Sequence, residues 1–225
     1  MKKALLLKEW KKLKWGSLFM FCSYILLLGY EYLKVDRAIR FTGLEHLWDV
    51  IVNRNQFLFS ELKYFPLFCG VVFALAQFVP EMTQKRIKLS LHLPMKESTI
   101  IWTMLGFGYV SLTIFFLFQV VTLTCYLQTI FPIQIIASTL ITYLPWLLSG
   151  LAGYGLCAWI CLEPSWKRRI LNLIITGAIL PFFFLTSVPG AYSNALLYCF
   201  CIPLYVLGFG FLSVYRFKTG VQDNL

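Results

Sequence analysis

Charged residues are scarce in this chain, and the stretches that lack them decide its class. Only 13% of the 225 residues are Asp, Glu, Lys or Arg, against about a quarter in a typical soluble domain. None of these residues occurs in segments 64–80, 98–162 or 170–215. A helix needs about 20 mostly apolar residues to cross a bilayer, so these runs predict membrane-spanning helices and exclude an ordinary water-soluble domain.

Sequence motifs for several kinds of chemistry are also missing. No G-x-x-x-x-G-K-[ST] run is present to hold nucleotide phosphates, so we do not expect ATP hydrolysis by this chain alone. The two histidines, His46 and His92, lie in predicted loops, which argues against a haem held between spans. The seven cysteines form no CxxC or Cys/His metal pattern, and we interpret them as free thiols. The sequence predicts no catalytic, metal or cofactor site.

Ionisable residues are absent from the middle of every predicted span, which disfavours an ion-coupled carrier and, still more, an intramembrane enzyme. Gln119 is the most central polar residue of the spans. We interpret it first as a hydrogen-bonding link between helices and second as a residue lining a pathway. The small residues at 149–155, which include Gly150 and Gly153, predict close helix approach, within the chain in preference to a subunit interface.

The alternation of apolar and polar segments predicts an all-α polytopic membrane protein with six transmembrane helices. The predicted spans are 16–32, 64–80, 99–126, 135–162, 170–187 and 195–215. Pro80 is expected to end the second span. An outer loop, residues 31–63, is expected to carry one or two short amphipathic helices within 41–59.

The first fifteen residues form a basic segment with six lysines and one glutamate. At helical pitch Leu6, Trp10 and Leu13 share one face, and most of the lysines lie opposite. This pattern predicts an interfacial helix, residues 1–15, with its apolar face in the lipid boundary. A signal-peptide n-region is the alternative, but no A-x-A-like cleavage site follows, so we favour an uncleaved anchor.

The distribution of basic residues predicts the orientation. The amino terminus, the 81–98 loop, the 163–169 loop and the carboxyl-terminal tail hold fifteen basic and five acidic residues, while the other loops hold five of each. Because Lys/Arg bias sets orientation, both termini and the 81–98 loop are expected to be cytoplasmic. The net charge of +10 is then explained by membrane lipid and not by nucleic acid.

The 81–98 loop interleaves cations with leucines, a pattern that suits a short element resting on a partner. Its run of acidic, basic and leucine residues closing on Leu-Pro resembles the type-2 family of ATP-binding-cassette transporter permeases. The residues that carry the resemblance are Glu81, Lys85, Arg86, Leu89, Leu93, Pro94 and Met95. The Gly-Thr pair usual early in the loop is not present, and neutral residues around 102–104 replace the lysine often found early in the third span.

The resemblance implies the permease subunit of an exporter in a bacterial inner (plasma) membrane. It implies a coupling helix that docks on cytoplasmic ATPase subunits through Lys85, Arg86, Leu89, His92, Leu93, Pro94 and Met95. ATP would be bound by those partners, and the permease would pair with a second copy or a homologue. The alternative is a non-transporting membrane anchor or assembly factor that recruits a cytoplasmic partner.

Overall fold

The computed structural model describes residues 2–52, 57, 59–83 and 96–219, and within them the chain is helical and contains no strand. The α-helices are α1 (Lys2–Val52), α2 (Phe65–Thr83), α3 (Glu97–Leu127), α4 (Ile133–Leu162), α5 (Trp166–Ile179) and α6 (Leu196–Thr219). Two 3-10 helices, Ser60–Leu62 and Leu180–Phe184, precede α2 and follow α5. The predicted all-α class is confirmed.

Five helical segments are long and apolar enough to cross a membrane. They are Lys3–Gly43, Ser60–Thr83, Glu97–Leu127, Ile133–Leu162 and Leu196–Arg216. These segments are compatible with an integral membrane protein. They overlap five of the six spans expected from the sequence, and the remaining expected span, residues 170–187, is made of an α-helix followed by a 3-10 helix.

Residues 166–184 form two helical pieces, and with residues 185–187 they run from one end of the bundle to the other. The α-helix α5 has 14 residues, and Pro181 lies within the 3-10 helix of 5 residues that follows it. Arg169 Nε donates to the Glu163 carbonyl at one end of the bundle (2.6 Å), while Lys63 Nζ donates to Ser187 Oγ at the other (2.9 Å). The two pieces together rise about 30 Å, close to the thickness of a bilayer core.

Helix α1 differs from its prediction because it has no break near residue 15 and continues beyond residue 32. Helical geometry is lost only at Gly43, which has φ 81°. Residues 31–42, expected in an outer loop, hold no Gly or Pro and carry an Asp36–Arg40 pair at i,i+4 (2.8 Å), which supports a helix. The expected interfacial helix, first span and start of the outer loop are therefore one helical rod.

Helix α2 also extends past its predicted end. Pro80 lies inside the helix, which continues to Thr83. A proline removes one backbone hydrogen bond but is tolerated in apolar helices when neighbours hold the chain. The ion pairs that Glu81 makes with α1 supply that support. The prediction that Pro80 ends the helix is wrong.

Helix α4 lies at the centre, packed against α2, α3, α5 and α6. Its contact with α2 is a backbone approach, because a methyl group on Gly70 would overlap the Gly150 carbonyl. One on Gly150 would in turn overlap the Pro66 carbonyl, and one on Gly153 would meet Leu67 Cδ1 at 2.6 Å. The small-residue stretch at 149–155 therefore packs inside the chain, as favoured from the sequence.

This contact gives a direct test of the fold. We expect Gly70→Ala to lower the free energy of unfolding in detergent micelles by about 1–3 kcal/mol, since α2 and α4 must separate to admit a methyl group. Gly106→Ala in α3 is the matched control, because a methyl group there meets open space. An equal loss in the two variants would contradict the proposed close contact.

Candidate functional site

Helices α1 and α2 place charged side chains face to face at one end of the bundle. Lys8 and Lys12 lie one turn apart on α1, and Glu9 shares their side of the helix. Gln77 and Glu81 lie one turn apart on α2, the spacing that puts side chains on one helix face. We call these five residues, together with Tyr154 of α4, the ion-pair network.

Lys12 is the bridge of this network. Its Nζ lies 2.6 Å from Glu9 Oε1 and 2.5 Å from Glu81 Oε1. Lys8 Nζ lies 2.9 Å from the same Glu81 oxygen. The side chains of Glu9 and Glu81 are inaccessible to solvent, and that of Lys12 is only 9% exposed. Two buried carboxylates are therefore balanced in charge by the nearly buried Lys12 and the partly exposed Lys8.

Gln77 extends the network into the bundle interior. Its Nε2 donates to Glu9 Oε2 and to the Met104 carbonyl, both at 2.8 Å. Its Oε1 accepts from the Tyr154 hydroxyl at 2.8 Å. That hydroxyl also lies 3.2 Å from the Leu105 carbonyl. Helices α1, α2, α3 and α4 thus meet at one fully buried amide side chain.

The energetic character of the network follows from its burial. A carboxylate taken out of water costs several kcal/mol unless a charge partner and hydrogen bonds replace its hydration. Such a pair adds little net stability over apolar packing, but removing one partner strands the other charge. The arrangement consequently favours one relative position of α1 and α2 over shifted positions, in which a buried charge would lose its partner.

A second buried carboxylate lies at the same end of the bundle. Glu163, at the end of α4, accepts a hydrogen bond from Ser213 Oγ (2.5 Å) and lies 3.4 Å from Arg216 Nη1, both on α6. Arg169 of α5 donates to its backbone carbonyl. Among the described residues, no three His, Cys, Asp or Glu side chains are grouped to hold a metal ion.

The opposite end of the bundle carries a smaller polar cluster. Glu31 is buried, accepts a hydrogen bond from the Glu61 amide (3.1 Å) and has Lys34 Nζ 3.8 Å away. From Lys12 to Glu31 helix α1 rises about 29 Å, the thickness of a bilayer core. The buried charges of α1 therefore lie near the two ends of one bilayer-sized length.

The residues predicted as docking contacts, Lys85, Arg86, Leu89, His92, Leu93, Pro94 and Met95, all lie outside the described residues. The described helices nevertheless fix where that segment begins and ends. It leaves α2 two residues after Glu81 and returns at Lys96, one residue before α3 begins. The ion-pair network therefore lies at the base of the predicted docking loop.

The other sequence-predicted residues are separated from one another. Leu13 is buried in the core (2% exposed), whereas Leu6 and Trp10 are 39% and 57% exposed. The side of α1 that faces the bundle carries Leu5, Glu9 and Leu13, so Leu6 and Trp10 do not share the environment of Leu13.

Gln119 lies buried where α1, α3 and α4 meet. Its Oε1 accepts from the Tyr143 hydroxyl at 2.9 Å, and its backbone carbonyl lies 3.2 Å from the Tyr24 hydroxyl. Tyr24 also shares a hydrogen bond with the Thr122 hydroxyl (2.6 Å). The helix-linking interpretation of Gln119 is confirmed, and a role in a pathway stays a prediction.

Sequence reasoning missed the pairing of Glu9. The available signal was its isolation as the one acidic residue among six lysines in the first fifteen residues. Gln77, the one strongly polar side chain inside the charge-free 64–80 run, was the second signal. Neither signal specifies the partner, because the pairing joins helices far apart in sequence.

Comparisons with protein-family models, with curated proteins and with solved structures found no match to this chain.

The bridging role of Lys12 predicts a large effect of a single substitution. Lys12→Met should lower the free energy of unfolding by about 3 kcal/mol, because Glu9 then loses its ammonium partner and keeps the Gln77 amide, while Glu81 keeps only Lys8 of its two lysines. Lys11→Met, one residue away and exposed, should change it by less than about 0.5 kcal/mol. Unfolding in mixed detergent micelles measures both, and similar losses would show that Lys12 is not a buried bridge.

The position of Gln77 predicts an order of effects. Gln77→Leu should destabilise more than Tyr154→Phe, because the first change removes the amide donor to both Glu9 Oε2 and the Met104 carbonyl. Tyr154→Phe leaves only one amide oxygen without its donor, a loss of about 1 kcal/mol. The same unfolding assay compares the two, and the reverse order would contradict the hydrogen-bond assignment.

Proposed function

We propose that this chain is the permease subunit of an ATP-binding-cassette exporter, driven through the 81–98 loop by separate cytoplasmic ATPase subunits. One observation carries the proposal: the end of α2 that enters this loop is tied by Glu81 to Lys8 and Lys12 of α1. A force applied to the loop therefore reaches α1 and α2 together. Because the sequence carries no phosphate-binding motif, we propose that ATP is bound by a partner chain.

The proposed topology has six spans and both chain ends in the cytoplasm. In support, Lys12 and Arg216 lie at the end of the bundle that also holds Glu81 and Glu163. The sixth crossing is formed by the two helical pieces from Trp166 to Phe184. The basic residues concentrated at that end favour a cytoplasmic orientation.

Transmission of movement depends on how α2 is held along its length. At the loop end the ion-pair network joins α2 to α1, and nearer the opposite end Gly70 and Gly150 join it to α4. Because α4 also packs against α6, a tilt of α2 moves the central helix and its neighbours as a unit. Packed interfaces of this kind move between discrete arrangements, as an alternating-access cycle requires.

The cargo is proposed only by class. Exposed apolar side chains on α1 and α3, including Leu26, Ile114 and Val121, form faces suited to lipid or to a second permease copy. An apolar or amphipathic cargo that moves along such a face needs no ion-coupling residue. Gln119, a buried amide side chain of α3 held by Tyr143, stays the candidate pathway residue.

The decisive experiment tests the loop. The tagged protein is purified from its native membranes, co-purifying ATPases are identified by mass spectrometry, and their ATP turnover is measured. We expect an ATP-binding-cassette ATPase with the wild type and its loss with Leu93→Asp and Met95→Asp. Phe41→Asp adds the same charge at an exposed position (83%) outside the loop and should retain the ATPase.

Two outcomes would overturn the proposal. If the ATPase remains bound to Leu93→Asp and Met95→Asp, the loop is not its docking element. If the partner binds but its ATP turnover is the same with and without the membrane protein, the chain acts as an anchor and not as a permease.

A further inference from the structure

A groove opens between α2, α4 and α5 at the end of the bundle that carries the ion-pair network. It has a volume of about 370 Å³, within the range of small-molecule sites. Its walls are mostly apolar and include Val79, Met82, Ile160, Ile170 and Leu173. Trp166 and Arg169 line it from the first turn of α5, and Thr83 and Cys161 are the remaining lining residues.

Arg169 is the charged member of this lining, and its position is fixed. Its Nε donates to the Glu163 carbonyl at 2.6 Å, and its guanidinium carbon lies 5.9 Å from the Trp166 ring centre. The two terminal nitrogens of the guanidinium carry four further N–H donors. Guanidinium groups bind phosphate oxygens with paired hydrogen bonds, which makes Arg169 suited to a phosphate group at the groove.

The surroundings add positive charge and an interfacial aromatic residue. Lys167 and Arg168 adjoin Arg169, and the nearest acidic side chain in the chain sequence, Glu163, is already engaged by Ser213 and Arg216. Trp166 is 66% exposed, and tryptophan prefers the boundary between hydrocarbon and water. The site thus combines an apolar groove, a cationic group and a membrane-boundary position.

We propose that this groove binds an anionic phospholipid, with an acyl chain along Ile170 and Leu173 and the phosphate at Arg169. Charge complementarity selects this occupant. A neutral protein surface or a zwitterionic lipid could also contact the apolar walls, but either would be attracted less strongly by the positive charge of Lys167, Arg168 and Arg169. Basic sites between helices on the cytoplasmic side are suited to anionic headgroups. The inference rests on the proposed cytoplasmic orientation of this end of the bundle and needs the chain in a membrane, but it does not depend on transport or on an ATPase.

The test compares lipid binding by purified full-length protein in detergent, measured by native mass spectrometry with phosphatidylglycerol and phosphatidylcholine. Wild type should bind phosphatidylglycerol about fivefold more tightly, the effect of one basic residue near a headgroup. Arg169→Gln should remove that preference. Lys11→Gln removes an exposed charge from α1, outside the groove lining, and should leave the preference unchanged.

A second variant keeps the test valid if Arg169→Gln does not fold. The Leu173 side chain is 61% exposed, so a larger ring can be accommodated there. In Leu173→Trp the indole should fill the groove and weaken the binding of both lipids. Equal binding of the two lipids by wild type, no retained phospholipid, or the same loss in Lys11→Gln and Arg169→Gln would each overturn the proposal. The last result would assign the effect to general surface charge.

Discussion

The backbone contact between Gly70 and Gly150 is the constraint on which the bundle depends. Inside a membrane, helices gain little from excluding water and associate through close packing and hydrogen bonds. Glycine at both positions lets α2 and α4 approach until carbonyl groups replace side chains at the interface. Every other helix packs against one of these two helices, so their separation sets the arrangement of the whole.

In the part of the chain that the structure describes, the buried carboxylates are paired with basic side chains. Glu9, Glu81 and Glu163 are fully buried, and each lies within 4 Å of a lysine or arginine nitrogen. The pairs lie near helix ends, where long basic side chains can also reach the headgroup region. These three buried ion pairs thus lie at the same end of the bundle as the predicted docking loop. Gln119 and its tyrosine partners link the helices deeper inside.

Much of the fold could be predicted from where charges are absent. The bounds expected for the third and fourth spans lie within two residues of α3 and α4, because uncharged runs end sharply at charged or proline residues. The same reasoning failed for residues 31–42, where charge suggested a loop but local i,i+4 pairing favours helix. It also failed at Pro80, since the support of that helix end comes from α1 and is not local.

The candidate site was harder to predict for a related reason. A lone glutamate among lysines indicates pairing, but the identity of its partners depends on which helices pack together. Glu9 meets Gln77 across 68 positions of sequence. Periodicity predicts which residues share a helix face, whereas packing against other helices decides which face turns inward, as the different environments of Leu6 and Leu13 illustrate.

The spacing of the buried charges along α1 has a consequence for the choice of membrane. About 29 Å of helix separates Lys12 from Glu31, and partners on α2 and in the segment before it hold these two positions. The apolar length of the protein is therefore set by side-chain contacts and cannot lengthen without breaking them. A bilayer thinner than this length forces the bundle to tilt, and a thicker one must thin around it. If these helices span a membrane, the paired charges favour a bilayer whose hydrocarbon core matches this length.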